Sequence, residues 1–151
     1  MRFLAALVAV LAACGHDDHG DDEEVDCTKV TGADTFVVGL PKDGSGGALD
    51  FAMMSAEPSP PARGDNTWTV SIVDMNGQPL GGANLAVTPF MPAHQHGTPI
   101  TVGVMPVDGT PGQYKLSPVN LWMPGVWETT IRATSADGLT NDSALYTFCI
   151  N

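Results

Sequence analysis

The chain has 151 residues and carries 17 Asp and Glu against 6 Lys and Arg, a formal net charge of −11. Acids outnumber bases throughout, so a phosphate backbone is repelled and no nucleic-acid partner is expected. About 125 residues run from Cys27 to Asn151, enough for one hydrophobic core and not for two.

The chain opens MRFLAALVAVLAAC, one basic residue followed by an apolar run from Phe3 to Ala13 that is short for a bilayer span. That is the core of a signal peptide. Its end, Leu11 to Gly15, resembles a bacterial lipobox, which implies that Cys14 is lipidated and that residues 1–13 are removed as a lipoprotein signal peptide; plain secretion with cleavage at a small-residue site is the alternative. Acyl chains hold a protein at a membrane surface, so a lipid-anchored cell-envelope location is expected. Gly15 is not the aspartate that retains enterobacterial lipoproteins at the inner membrane, which favours the outer membrane in a Gram-negative host. Residues 14–26 then form an acidic tether: GHDDHGDDEEVD has seven carboxylates and no base, and self-repulsion keeps such a segment disordered and extended. His16 and His19 among these aspartates could hold a divalent ion loosely, against simple solvation.

With Cys14 lipidated, Cys27 and Cys149 remain as a pair at the two ends of the folded part, and a disulfide between them is expected. No CxxC or Cys/His cluster surrounds either one to suggest metal binding instead. Between them Gly and Pro punctuate short segments of period two, and no stretch keeps helical periodicity beyond about a turn. In chain order the strand candidates are Thr35 to Leu40, Leu49 to Met54, Asn66 to Asp74, Ala83 to Pro89, Ile100 to Pro106, Gln113 to Leu116, Val126 to Thr134 and Ala144 to Ile150. Turn signals Asn76-Gly77, Asp108-Gly109 and Asp137-Gly138 separate several of them. NTWTVSIVD sends Trp68, Val70 and Ile72 to one face; VWETTIRAT sends Trp127, Thr129, Ile131 and Ala133 inward. The fold class is therefore all-β: an immunoglobulin-like antiparallel β-sandwich of about seven to eight strands over residues 27–151. Ala56 to Asp65 reads as a loop containing the integrin-type tripeptide Arg63-Gly64-Asp65, a three-residue match that chance supplies often. Asn141 to Ser143 matches a glycosylation sequon that bacterial envelope proteins rarely use.

The chemistry concentrates in FMPAHQHG, residues 90 to 97. Met91 to Thr98 reads as a bend after a strand, stiffened by Pro92 and Pro99 and given freedom by Gly97. His94 and His96 are two apart, and an extended backbone points side chains at that spacing to one side, so both imidazoles can meet one ion. Such an ion leaves on acidification, because each imidazole must be neutral to bind. NLWMPGVW, residues 120 to 127, repeats the Met-Pro pair at Met123. Imidazole with thioether is a soft, neutral ligand set that favours Cu(I), whereas imidazole with carboxylate or water accommodates Cu(II). The candidate metal ligands are His94, His96, Met91 and Met123. Met105 is a weaker candidate, and Met53 and Met54 read as core filling.

Strand, MPAHQHG, a Gly-x-Tyr strand at Gly112 to Tyr114 and then WMPGVWETTI together resemble the YtkA-like domain family, small all-β envelope domains akin to FixH and CopC; the likeness covers about Asn66 to Thr134. The resemblance implies an immunoglobulin-like sandwich on a membrane anchor and, through the family's relatives, a link to copper. The N-terminal histidine of CopC-type Cu(II) sites has no counterpart here. Two readings of function stay open. In one the chain binds or delivers copper, with the membrane and a metal-donating or metal-receiving envelope protein as partners. In the other it is a non-catalytic interaction or structural module, with Met-Pro plugging the end of the sandwich and Trp122 and Trp127 covering it. No enzyme is expected, since no Ser/His/Asp or Cys/His arrangement is visible; a carboxylate beside an open metal position, Glu128 being nearest in sequence, would revive that class.

Overall fold

The computed structural model describes residues 25–151. The expected signal peptide, Cys14, His16, His19 and nearly all of the tether lie outside the described residues. The described chain enters through a 3-10 turn, Cys27–Lys29, capped by the Asp26 carboxylate, which accepts the Thr28 N–H at 3.1 Å.

Nine strands follow: β1 (Leu40–Asp43), β2 (Leu49–Glu57), β3 (Gly64–Asp74), β4 (Asn84–Met91), β5 (His96–Gly97), β6 (Gly103–Pro106), β7 (Gln113–Leu121), β8 (Gly125–Thr134) and β9 (Asn141–Ile150). They make two antiparallel sheets, in the orders β1-β2-β3-β7-β6 and β5-β4-β8-β9. The expected all-β sandwich is what the chain forms, and the period-two pattern explains why. Trp68, Val70 and Ile72 of β3 are all closed from solvent, as are Trp127, Thr129, Ile131 and Ala133 of β8. Trp68 meets Phe148 of the opposite sheet edge-on at 5.6 Å, so the two layers share one core.

Three strand expectations needed correction. Thr35 to Leu40 is not a strand: a turn closed by the Leu40 N–H on the Val37 carbonyl, 3.0 Å, precedes β1. Val37 and Val38 stand exposed there, with no sheet neighbour to pair them. β7 does not stop at Leu116. It runs on to Leu121 through a bulge, because Leu116 faces Trp68 while Val119 faces Asn66, which leaves Ser117 and Pro118 opposite Thr67 alone. The irregularity accommodates a proline that has no N–H for the ladder. The candidate Ile100 to Pro106 shortens to β6, and the two-residue β5 was not foreseen at all.

Two devices fasten the ends. Cys27 and Cys149 form the expected disulfide across 122 residues. The buried Asp142 of β9 accepts the N–H groups of Gly46 (2.7 Å), Ala48 (2.8 Å), Leu49 (3.1 Å) and Ser143 (2.8 Å), which pins the β1–β2 turn to the other sheet. Burial raises the pKa of this carboxyl, but the four donors outweigh it and bring the group down to about 2.

Candidate metal centre

The candidate site sits at one end of the sandwich, on the hairpin that joins β4 to β5. β4 ends at Met91, whose partner across the hairpin is His96; Phe90 pairs with Gly97. Pro92 to Gln95 make the turn, with the His94 N–H on the Met91 carbonyl at 3.2 Å and the Gln95 N–H on the Pro92 carbonyl at 3.3 Å. The left-handed residue of the bend is Gln95, at φ 55°; Gly97, expected to give the bend its freedom, is not in that region. Gly97 is needed for another reason: a Cβ there would lie 2.7 Å from the Pro89 carbonyl oxygen, so only glycine lets β5 approach β4 this closely.

The two imidazoles lie close together, although not by strand alternation. His94 belongs to the turn and His96 to β5, and the curl of the chain brings their ring centroids to 5.6 Å with planes at 46°. Two imidazoles sharing one ion through metal–nitrogen bonds of about 2.0–2.1 Å have centroids roughly 5–6.5 Å apart, a range that includes this separation. His94 is exposed and His96 half-buried. Nδ1 of His96 lies 3.1 Å from the Gly97 carbonyl oxygen. With the proton on Nδ1 donated there, Nε2 carries the free lone pair.

His96 is also held by two indoles. Trp122 stacks on it at 5.4 Å and 21°, and Trp127 meets it edge-on at 6.5 Å and 67°. Trp127 is fixed in turn by its own Nε1–H, donated to the Met123 carbonyl at 3.0 Å.

The thioethers are placed less openly. Met91 is 0% exposed and belongs to the core, sharing the inner face with its neighbour His96. Its methyl end fills the space over Gly125, where an added Cβ would come within 2.8 Å of Cε. The Met91 thioether is thus closed from solvent in this arrangement. Met123 is half-buried and packs against the core beside Trp127. Glu128 lies elsewhere: it pairs with Phe90 between two inward residues, Trp127 and Thr129, so strand alternation sends its carboxylate to the opposite face from Met91. Among the described residues, no set of three or more His, Cys, Asp and Glu is arranged to hold a metal.

Sequence reading missed the scaffold behind the stack. Arg63-Gly64-Asp65 is no free loop tip. Gly64 pairs with Leu121, Arg63 donates its Nε–H to the Trp122 carbonyl at 2.9 Å, and Asp65 accepts from Asn120 at 2.6 Å. Asn120 also accepts the Thr98 hydroxyl at 3.2 Å, which ties the histidine loop to the other sheet. An Arg and a Trp carbonyl 59 positions apart share no local signal.

A family model described as YtkA-like matches residues 47–132, more than half of the chain. The chain belongs to the YtkA-like family. The matched span of this YtkA-like chain holds His94, His96, Met91 and Met123, whereas Cys27, β1, β9 and Cys149 fall outside it. Among solved structures it is similar to PcoC, a methionine-rich copper resistance protein from Escherichia coli, at 17% identity over 66% of this chain and 96% of that one, with a TM-score of 0.43. No curated protein matches it significantly.

Proposed function

We propose that this YtkA-like protein is a non-enzymatic, membrane-anchored envelope lipoprotein that binds or delivers copper, with the ion held between His94 and His96. One observation carries the reading: two imidazoles with centroids at 5.6 Å, His94 on an exposed turn and His96 on the strand it leads into. Copper is the cargo the donor set suits. Two neutral nitrogens supplemented by sulfur are too few and too soft for Ca or Mg, and a structural Zn site takes four ligands. Met123 and Met91 are the supporting sulfurs, although Met91 is closed from solvent in this arrangement. In this reading Cys14 bears the lipid and the acidic tether gives the domain reach from the membrane, toward an envelope partner that gives or takes the ion.

Titration of the full chain with Cu(I) and with Cu(II), beside a His94→Ala, His96→Ala double variant, tests the proposal. Wild-type binding that the double variant loses is the expected result. Equal binding by both removes the site assignment, and binding by neither removes the function.

A specific observation favours a second reading. Trp122 and Ile100 are large, apolar and exposed beside the histidines, as a docking surface for another envelope protein would be. Under that reading copper has no effect on either variant.

A further inference from the structure

We propose that Trp122 is a specificity-determining residue of the histidine site, making it selective for low-coordinate Cu(I) over Cu(II). The inference rests on the reading of His94 and His96 as copper ligands, and it adds which oxidation state they take and why.

The surroundings of His96 carry it. One face of the imidazole lies under the Trp122 indole, an edge of Trp127 closes another approach, and Nδ1 is engaged by the Gly97 carbonyl. With Nδ1 donating its proton to that carbonyl, Nε2 is the nitrogen that faces an ion, together with whatever His94 adds. Cu(II) prefers a tetragonal set of nitrogen and oxygen ligands, with water completing it. An apolar indole on one side supplies no nitrogen or oxygen ligand to complete that set. Cu(I) is satisfied by few, soft ligands, and the electron-rich face of a nearby indole favours a cation.

Trp122 is not placed by core packing, since the residue stays 43% exposed. It is held from behind instead: its carbonyl accepts from Arg63, the preceding Leu121 pairs with Gly64, and Asn120 is bonded to both Asp65 and Thr98. Three hydrogen bonds and one strand pairing, from two neighbouring segments, fix the strand end that carries an exposed indole against a histidine. Trp122 is thus a positioning residue for His96 and a wall of the site, not a ligand.

The experiment compares the full chain with Trp122→Phe, Trp122→Leu and Trp122→Ala. Each is titrated with Cu(I) in competition with bicinchoninate under anaerobic reducing conditions, and separately with Cu(II). A lost cation–π contact and opened wall correspond to about a tenfold fall in the ratio of Cu(I) to Cu(II) affinity. That fall is expected for Ala and for Leu, which keeps apolar cover without an aromatic face, while Phe stays near wild type. Indole emission quenched by Cu(I) in wild type should lose its Trp122 component in the Phe variant. If Leu and Ala lower both affinities equally, or neither, Trp122 is mere cover and the proposal is overturned. If wild type binds neither ion, the copper reading itself has failed, which is a separate and distinguishable result.

Discussion

Replacing Asp142 with asparagine should uncouple the two sheets at the β1–β2 turn, and the size of the effect follows from four hydrogen bonds. The carboxylate accepts from Gly46 and Ser143 through Oδ1 and from Ala48 and Leu49 through Oδ2, at 2.7 to 3.1 Å. An asparagine can offer its oxygen to one pair of donors only. Its NH₂ then confronts the other pair, and two buried N–H groups lose their acceptor at roughly 1–3 kcal/mol each, so about 3 kcal/mol is expected at neutral pH. The acid dependence gives an independent handle. The folded pKa of about 2 lies below the ordinary 3.8, so the group's stabilisation is complete above the ordinary value and is lost as pH falls through the folded one. At about 1.4 kcal/mol for each unit of difference, that stabilisation is roughly 2 kcal/mol, a figure that suits a residue only 4% exposed. Urea denaturation with the disulfide intact, run at neutral pH and in steps from about pH 5 to pH 2, measures both quantities. The gap between wild type and Asp142→Asn should open at about 3 kcal/mol and narrow by about 2 kcal/mol on acidification. A neutral-pH gap below about 0.5 kcal/mol, or one that does not narrow, would refute the clamp.

Four further outcomes are expected. Met91→Ala empties a fully buried site and should cost about 2–5 kcal/mol in denaturation, whereas Met91→Leu should cost under about 1.5 kcal/mol; a loss of Cu(I) affinity in the Leu variant, which keeps the packing, would mark the sulfur as a ligand. Reducing the Cys27–Cys149 bond, or replacing both cysteines with serine, should lower stability by about 4–5 kcal/mol, as expected from a loop closure across 122 residues. Gly97→Ala forces a Cβ against the Pro89 carbonyl and should loosen the β4–β5 hairpin, read as faster amide exchange of Met91 and His96; unchanged exchange would show that the strands can give way. Arg63→Ala should leave the thermal midpoint nearly unmoved while changing Trp122 emission, because its bond is exposed and serves the strand end that carries the indole.

What the sequence determined by itself was the class of fold and most of its strands. Alternation in NTWTVSIVD and VWETTIRAT predicts which side chains go inward, because a strand has a period of two and one face must be buried. Cysteine parity likewise anticipated the bond that closes the domain. The tertiary structure decided the rest, and for one physical reason: the decisive partners are distant in sequence and are brought together only by sheet pairing. Asp142 meets Ala48 across 94 positions, and Arg63 meets Trp122 across 59. The histidines illustrate both levels. Their spacing announced a pair, but the turn at Gln95 set their separation, and Met91, paired with His96 across the hairpin, is closed inside the core. The stack of Trp122 on His96 had no trace in the local pattern, since it depends on where the far end of β7 lands against a hairpin from the opposite sheet.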